Sequence, residues 1–207
     1  MKKIISLGSM CWTRWLIDIV QGPSETLLFD WIDVRSFKNV YNVIKDILKE
    51  TIDYDQFVTF DEKHLNPYGM WFGHYDPPPA RQKDSNLDTF KRRIERFKEN
   101  YLDDQIEKIF VLYNRQTDKY QETIDFCQDI LNKSKNQNNS LLIINHVKPD
   151  CDLIIDSNKI IVLNLKFKGI SRDENNTHTH ITFKDHFIPA CEEAGVMNIL
   201  TNLYKNS

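Results

Sequence analysis

The sequence predicts an α/β fold, one domain over residues 1–207, with a largely parallel sheet flanked by helices. Three observations carry this reading. Near-continuous apolar runs at residues 2–7, 106–113, 140–147 and 159–165 have the composition of strands buried on both faces. Segments with helical spacing lie among them. The alternation of the two is the pattern of parallel strands joined by crossover helices.

Each element has its own justification. Residues 2–7 (KKIISL) form the first strand, and Gly8-Ser9-Met10-Cys11 breaks it. Residues 12–20 (WTRWLIDIV) then read as a helix, closed by a turn at 21–24. Residues 26–32 (TLLFDWI) are apolar and aromatic, with one acid among them. Residues 36–50 carry Phe37, Val40, Val43, Ile44, Ile47 and Leu48 at helical spacing, with Ser36 placed to cap the first turn. A short strand is expected at 57–60. Two glycines and four prolines in residues 66–80 forbid a long helix, so a loop or a short aromatic strand is expected there. Residues 87–101 read as a basic helix with Phe90, Ile94 and Phe97 on one face and Lys91, Arg92, Arg93 and Arg96 around it. That basic cluster reads as a solvated face, or as a surface for an anionic partner. Further helices are expected at 118–133 and 188–204. An Asn-rich loop is expected at 133–139 and a long surface connection at 164–180.

Composition narrows the function classes. With 41% hydrophobic and 28% charged residues and a formal net charge of −3, the chain has an ordinary globular make-up. It has no electrostatic bias toward nucleic acid or acidic membranes. No apolar stretch reaches the roughly 18 residues of a membrane span. The N-terminus runs straight into a strand, so no signal peptide is expected. Cys11, Cys127, Cys151 and Cys191 are widely spaced, with no CxxC pair. Neither a zinc ribbon nor a disulfide framework is indicated, and a reduced, cytoplasmic chain is expected. No cofactor is expected.

Cys11 is the leading candidate for chemistry. A strand, a glycine turn and a helix place it in or just before the first helical turn. Unpaired N–H groups and the positive end of the helix dipole favour a thiolate there. That suits a nucleophile; the alternative is a small buried apolar residue. Ligand sites of parallel sheets lie at the carboxyl ends of the strands. Three strands here end in polar residues: Gly8 to Cys11, Asn114-Arg115 and Asn145-His146. His146 is one candidate base. His74, in Gly73-His74-Tyr75-Asp76, is the preferred one, with Asp76 or Asp30 to orient it. Asp30, between Phe29 and Trp31, is expected to orient a histidine, bind a substrate donor or cap the turn before Ser36. A carboxylate between rings needs a partner in each case. Ser9, Trp31, Asn114, Arg115 and Asn145 are the candidate substrate-binding residues. His178 and His180, with His186 near, form an HxH pattern that reads as a solvated loop rather than a metal site.

Taken together, several of these motifs resemble a little-characterised papain-like cysteine peptidase family. They are Gly8-Ser9-Met10-Cys11, Phe29-Asp30-Trp31, Gly73-His74-Tyr75-Asp76, Arg92 to Phe97, Phe110-Val111-Leu112 and Asn145-His146. Members typically begin with a strand, a Gly-x-x-Cys turn and a Pro-Phe/Leu-Asp-Trp motif. The resemblance spans residues 3 to 165, and Leu28 stands where the family usually has proline. It implies a Cys–His hydrolase with Cys11 as nucleophile, His74 in the family's His-Asp segment and His146 at its Asn-His strand end. It also implies a papain-like α+β alternative, in which the same strands form an antiparallel sheet or barrel.

Two functions compete. The first is a thiol hydrolase or acyl transferase that attacks an amide, isopeptide or ester bond in a peptide, protein or acylated small molecule. The second is a non-catalytic, nucleotide-sugar- or anion-binding module of the kind that serves glycan metabolism. There the first helix N-terminus would cradle the anion, helped by Arg92, Arg93 and Arg115. Neither involves nucleic acid or a membrane span.

Overall fold

The computed structural model describes residues 1–8, 11–34, 36–59, 61, 65–72, 80–114, 120–146, 159–165 and 187–205. In chain order the elements are β1 (Lys2–Ser6), α1 (Cys11–Gln21), β2 (Asp33–Val34), α2 (Phe37–Lys49) and α3 (Tyr54–Val58). There follow β3 (Met70–Trp71), α4 (Ala80–Leu102), β4 (Glu107–Asn114), α5 (Tyr120–Lys133) and β5 (Ser140–His146). The described chain closes with β6 (Ile160–Leu165), α6 (Ile188–Glu193) and α7 (Val196–Lys205).

The four long apolar runs pair side by side in the order β1-β4-β5-β6, and every pair is parallel. The expected α/β sheet is therefore present, and these strands form no antiparallel barrel. A separate two-stranded antiparallel ribbon joins β2 to β3, so residues 66–80 do contribute a short aromatic strand.

Alternation along the strands explains the layering, because successive side chains point to opposite faces. Ile5, Leu7, Phe110, Leu112, Leu141, Ile143, Ile160 and Val162 face α2, α4 and α5 in one core. Ile4, Ile109, Val111, Tyr113, Leu142, Ile144 and Leu165 face α1, α6 and α7 in the other. Both faces of the sheet are covered, as all-parallel sheets require.

β1 is an edge strand, and an outward backbone N–H on it is covered by a side chain. The Ile4 N–H donates to Gln21 Oε1 at 2.7 Å. Lys3 Nζ donates to Asn100 Oδ1 at 2.8 Å. Such covering keeps an edge from pairing with another chain. Lys108 is buried on β4 and donates its ammonium to the carbonyls of Asp103 and Ile106, tying down the α4–β4 turn.

Three local expectations are corrected. Of the strand expected at 57–60, Phe57 and Val58 instead end α3, because the Asp53 side chain accepts the Gln56 N–H at 3.0 Å and nucleates a helical turn, while Phe60 lies outside the described residues. The closing helix at 188–204 is two helices, since Gly195, at φ 72°, interrupts it. Ser36 has the extended backbone of an N-cap, but its side chain makes no capping bond. Among the described residues, no helix is long and apolar enough to cross a membrane. The expected surface connection lies outside the described residues beyond Leu165, as do His178, His180 and His186.

Candidate functional site

The carboxyl end of β1 leads through Gly8 to Cys11. Leu7 N–H donates to Val111 O at 2.8 Å and carries the pairing one residue past the strand. Gly8 then turns, with its N–H on Ser6 Oγ at 3.0 Å and φ at 86°. Glycine is favoured here on two counts. The left-handed backbone disfavours any Cβ, and a Cβ would stand 3.3 Å from Val34 Cγ2 and 3.5 Å from Phe29 Cβ. The Gly8 carbonyl accepts the Thr13 hydroxyl at 3.4 Å. Helix α1 starts at Cys11. Gly8 of the first motif thus packs against Phe29 of the second.

Asp30 has a partner, and it is Arg14. Asp30 is 1% exposed, and its Oδ2 accepts both Arg14 Nη1 at 3.0 Å and the Leu27 N–H at 2.7 Å. Arg14, 5% exposed, also forks onto Asp18 at 2.6 and 3.2 Å. Its remaining donors reach Ser24 O at 2.8 Å and Glu25 O at 3.3 Å. From α4, Arg96 takes the next carbonyl, Thr26 O, at 3.3 Å. The connection 24–30 is therefore strapped to α1 and α4 together. The turn that Asp30 caps is its own, Leu27 to Asp30, rather than the one before Ser36. Arg14 is the residue that sequence reading missed. Its signal was a lone arginine among the apolar residues of 12–20, three positions after Cys11.

Burial pushes the Asp30 carboxyl up to about 6 from its ordinary 3.8, against the lowering effects of the Leu27 N–H and of Arg14. The folded chain then holds this proton more tightly than the unfolded chain does. Stability from this group is fullest at low pH and falls as pH rises from about 4 to about 6, by about 3 kcal/mol in all. The Asp30→Asn variant is expected to lose that slope. Urea midpoints measured across this window check it; an unchanged slope would show that Asp30 titrates normally.

The other strand ends meet as a row of carboxamides. Asn114, Asn145 and Asn164 are register partners on β4, β5 and β6. Asn114 Nδ2 donates to Asn145 Oδ1 at 2.9 Å, and Asn145 Nδ2 donates to Asn164 Oδ1 at 3.4 Å. Asn114 and Asn145 are 4% and 3% exposed, while Asn164 is half-buried. The structure thus joins two candidate binding residues and adds Asn164. Its signal was the polar break in KIIVLNL, at the position matching those of the other two strands.

His146 is the last residue of β5, next to the row, and Trp31 is half-buried beside Asp30 in sequence. Ser9, His74, Asp76 and Arg115 lie outside the described residues. Lys91 and Arg92 are exposed on α4, as a solvated basic face predicts. Arg93 instead lies over the Phe90 ring, 5.3 Å from its centroid. A polar cleft of about 550 Å³ opens elsewhere, between α2 and the turn at 67–69, lined by Asn39, Asn42, Lys45, Lys49 and Tyr68. It holds none of the strand-end residues.

Comparisons with family models, curated proteins and solved structures return no match to this chain. The site's own chemistry carries the functional argument.

Proposed function

We propose that this chain is a cysteine hydrolase acting on an amide, isopeptide or ester bond, with Cys11 as nucleophile. The observation that supports it most is the position of Cys11. It opens α1 at the carboxyl end of β1, three residues after Gly8, whose left-handed backbone at φ 86° favours glycine. Helix N-termini lower thiol pKa values and offer unpaired N–H groups to an oxyanion.

In this reading the Cys11 thiolate adds to the substrate carbonyl. A histidine that took the thiol proton gives it to the leaving amine or alcohol, and water then releases the acyl group from sulfur. His74 is the proposed base, and His146 at the end of β5 the second choice. Asp76 and Asp30 are the proposed orienters. The substrate is a peptide, a protein or an acylated small molecule.

Thiol reactivity tests the reading, and the chain supplies internal standards. Cys127 and Cys191 are buried. Burial raises the Cys127 thiol well above its usual range and pushes Cys191 up to about 12. Brief iodoacetamide labelling at neutral pH, read by mass spectrometry, is expected to modify Cys11 first. Its rate should titrate below the roughly 8.5 of a free thiol. The Cys11→Ser variant is expected to abolish turnover of p-nitrophenyl acetate, and His74→Ala to slow both labelling and turnover. A Cys11 that labels no faster than a free thiol ends the proposal.

A further inference from the structure

We propose that Arg14 is a positioning residue for Cys11, locking the first turn of α1 against the Phe29-Asp30 dipeptide. The inference rests on the hydrolase reading for what Cys11 does; the lock itself is a matter of packing.

The chain is held on either side of Cys11 by the same two neighbouring residues. Three residues before it, Gly8 packs against Phe29: a Cβ on Gly8 would stand 3.5 Å from Phe29 Cβ and 3.7 Å from the Phe29 carbonyl oxygen. Three residues after it, Arg14 Nη1 donates to Asp30 Oδ2 at 3.0 Å. Between these holds, the Thr13 hydroxyl reaches back from α1 to the Gly8 carbonyl at 3.4 Å. The dipeptide has supports of its own. Asp30 Oδ2 also accepts the Leu27 N–H, and the Phe97 ring of α4 meets Phe29 edge-on. The turn that carries Cys11 is thus fixed to a bracket that is itself fixed to the core.

Arg14 is fully used in this. A guanidinium has five N–H donors. Nε and one donor of Nη2 fork onto Asp18, and the other donor of Nη2 reaches Ser24 O. The two donors of Nη1 reach Glu25 O and Asp30. None is left for substrate, so the residue holds rather than binds. Stability alone gives a weak reason for it, since a buried ion pair is often no better than apolar residues of similar volume. What the fork adds is direction. A planar group aimed at a carboxylate and at two carbonyls of another segment fixes the rotation and depth of the helical turn it stands on. That matters at Cys11. The influence of a helix N-terminus is confined to the first turn, and helix ends fray. α1 has no acidic residue in its first turn to steady it.

The Arg14→Lys variant tests this, because it keeps a charge beside Asp30 and loses the fork. Iodoacetamide alkylation of Cys11 is followed across pH. Amide hydrogen exchange is followed at Trp15 and Leu16, whose N–H groups close the first turn onto Cys11 and Trp12. The alkylation midpoint is expected to rise by about one pH unit over wild type, roughly tenfold less thiolate at neutral pH. Exchange at Trp15 and Leu16 is expected to quicken roughly tenfold, with Val20 at the far end of α1 unchanged. If Arg14→Lys does not fold, Asp18→Ala frees the outer half of the fork at a partly exposed site. Removing a negative charge would by itself lower the midpoint, so a rise there reports the fork. A low wild-type midpoint that stays put in the variant overturns the lock and leaves the hydrolase reading standing. A wild-type midpoint at the value of a free thiol, with quickened exchange in the variant, overturns the hydrolase reading and leaves the lock. With exchange unchanged as well, both fall.

Discussion

Replacing Arg14 with leucine is expected to destabilise the protein by about 3–5 kcal/mol at neutral pH, the usual effect of stranding one partner of a buried ion pair. Asp30, at 1% exposure, would keep only the Leu27 N–H. The carbonyls of Ser24 and Glu25 would lose their donor as well. The loss should shrink near pH 5, because Asp30 can then take a proton instead of standing charged and alone. Removing both charges with Arg14→Leu and Asp30→Leu together is expected to recover part of the loss, since an apolar pair leaves no uncompensated carboxylate. Urea unfolding of the two single variants and the double variant closes the cycle. A loss under about 1 kcal/mol for Arg14→Leu would mean that the pair behaves like an exposed one.

Phe97→Ala is expected to destabilise by a similar amount, about 3–5 kcal/mol, as large-to-small changes at buried phenylalanines do. Phe97 is fully buried on α4. Its ring meets Phe29 edge-on at 5.3 Å and stacks on Tyr101 at 5.8 Å. Phe29 in turn lies against Gly8. The cavity would therefore open directly behind the turn that leads to Cys11. Cys11 alkylation should change along with stability, whereas Ile130→Val on α5 should leave it alone. A Phe97→Ala protein with wild-type stability would contradict the packing.

Much of the fold is written plainly in the chain. The runs ending at Tyr113, Ile144 and Leu163 are apolar at nearly every position, which only a sheet covered on both sides can hold. The two misread segments have local causes that outweigh the general pattern. At 54–58 one aspartate cap overrides the β-favouring Phe57 and Val58. At 188–205 one glycine in a left-handed turn splits an otherwise continuous helical repeat. The site was legible where it depends on neighbours in sequence, as with Gly8 before Cys11 and the acid between Phe29 and Trp31. It was illegible where it depends on pairing across distance. Nothing near Asp30 in sequence points to Arg14, 16 residues earlier, and nothing in strand β6 taken alone marks Asn164. Each becomes visible only when the register of the sheet or the path of the connection is known.

The strand order has a consequence for how the molecule comes into being. Because β1, β4, β5 and β6 stand in the sheet in the order in which they occur in the chain, the sheet can grow from one side during synthesis. Each new strand meets a finished neighbour as it leaves the ribosome. The face toward α2, α4 and α5 gains its cover step by step. The opposite face does not. Apart from α1, its described cover comes from Phe187 and from α6 and α7, whose Cys191, Val196 and Leu200 seal Val111, Tyr113, Leu142 and Ile144. Until those residues emerge, a strip of apolar sheet on that face stays uncovered. The residues from Phe187 to Leu200 are thus the ones that decide whether this face of the nascent protein remains free of its neighbours.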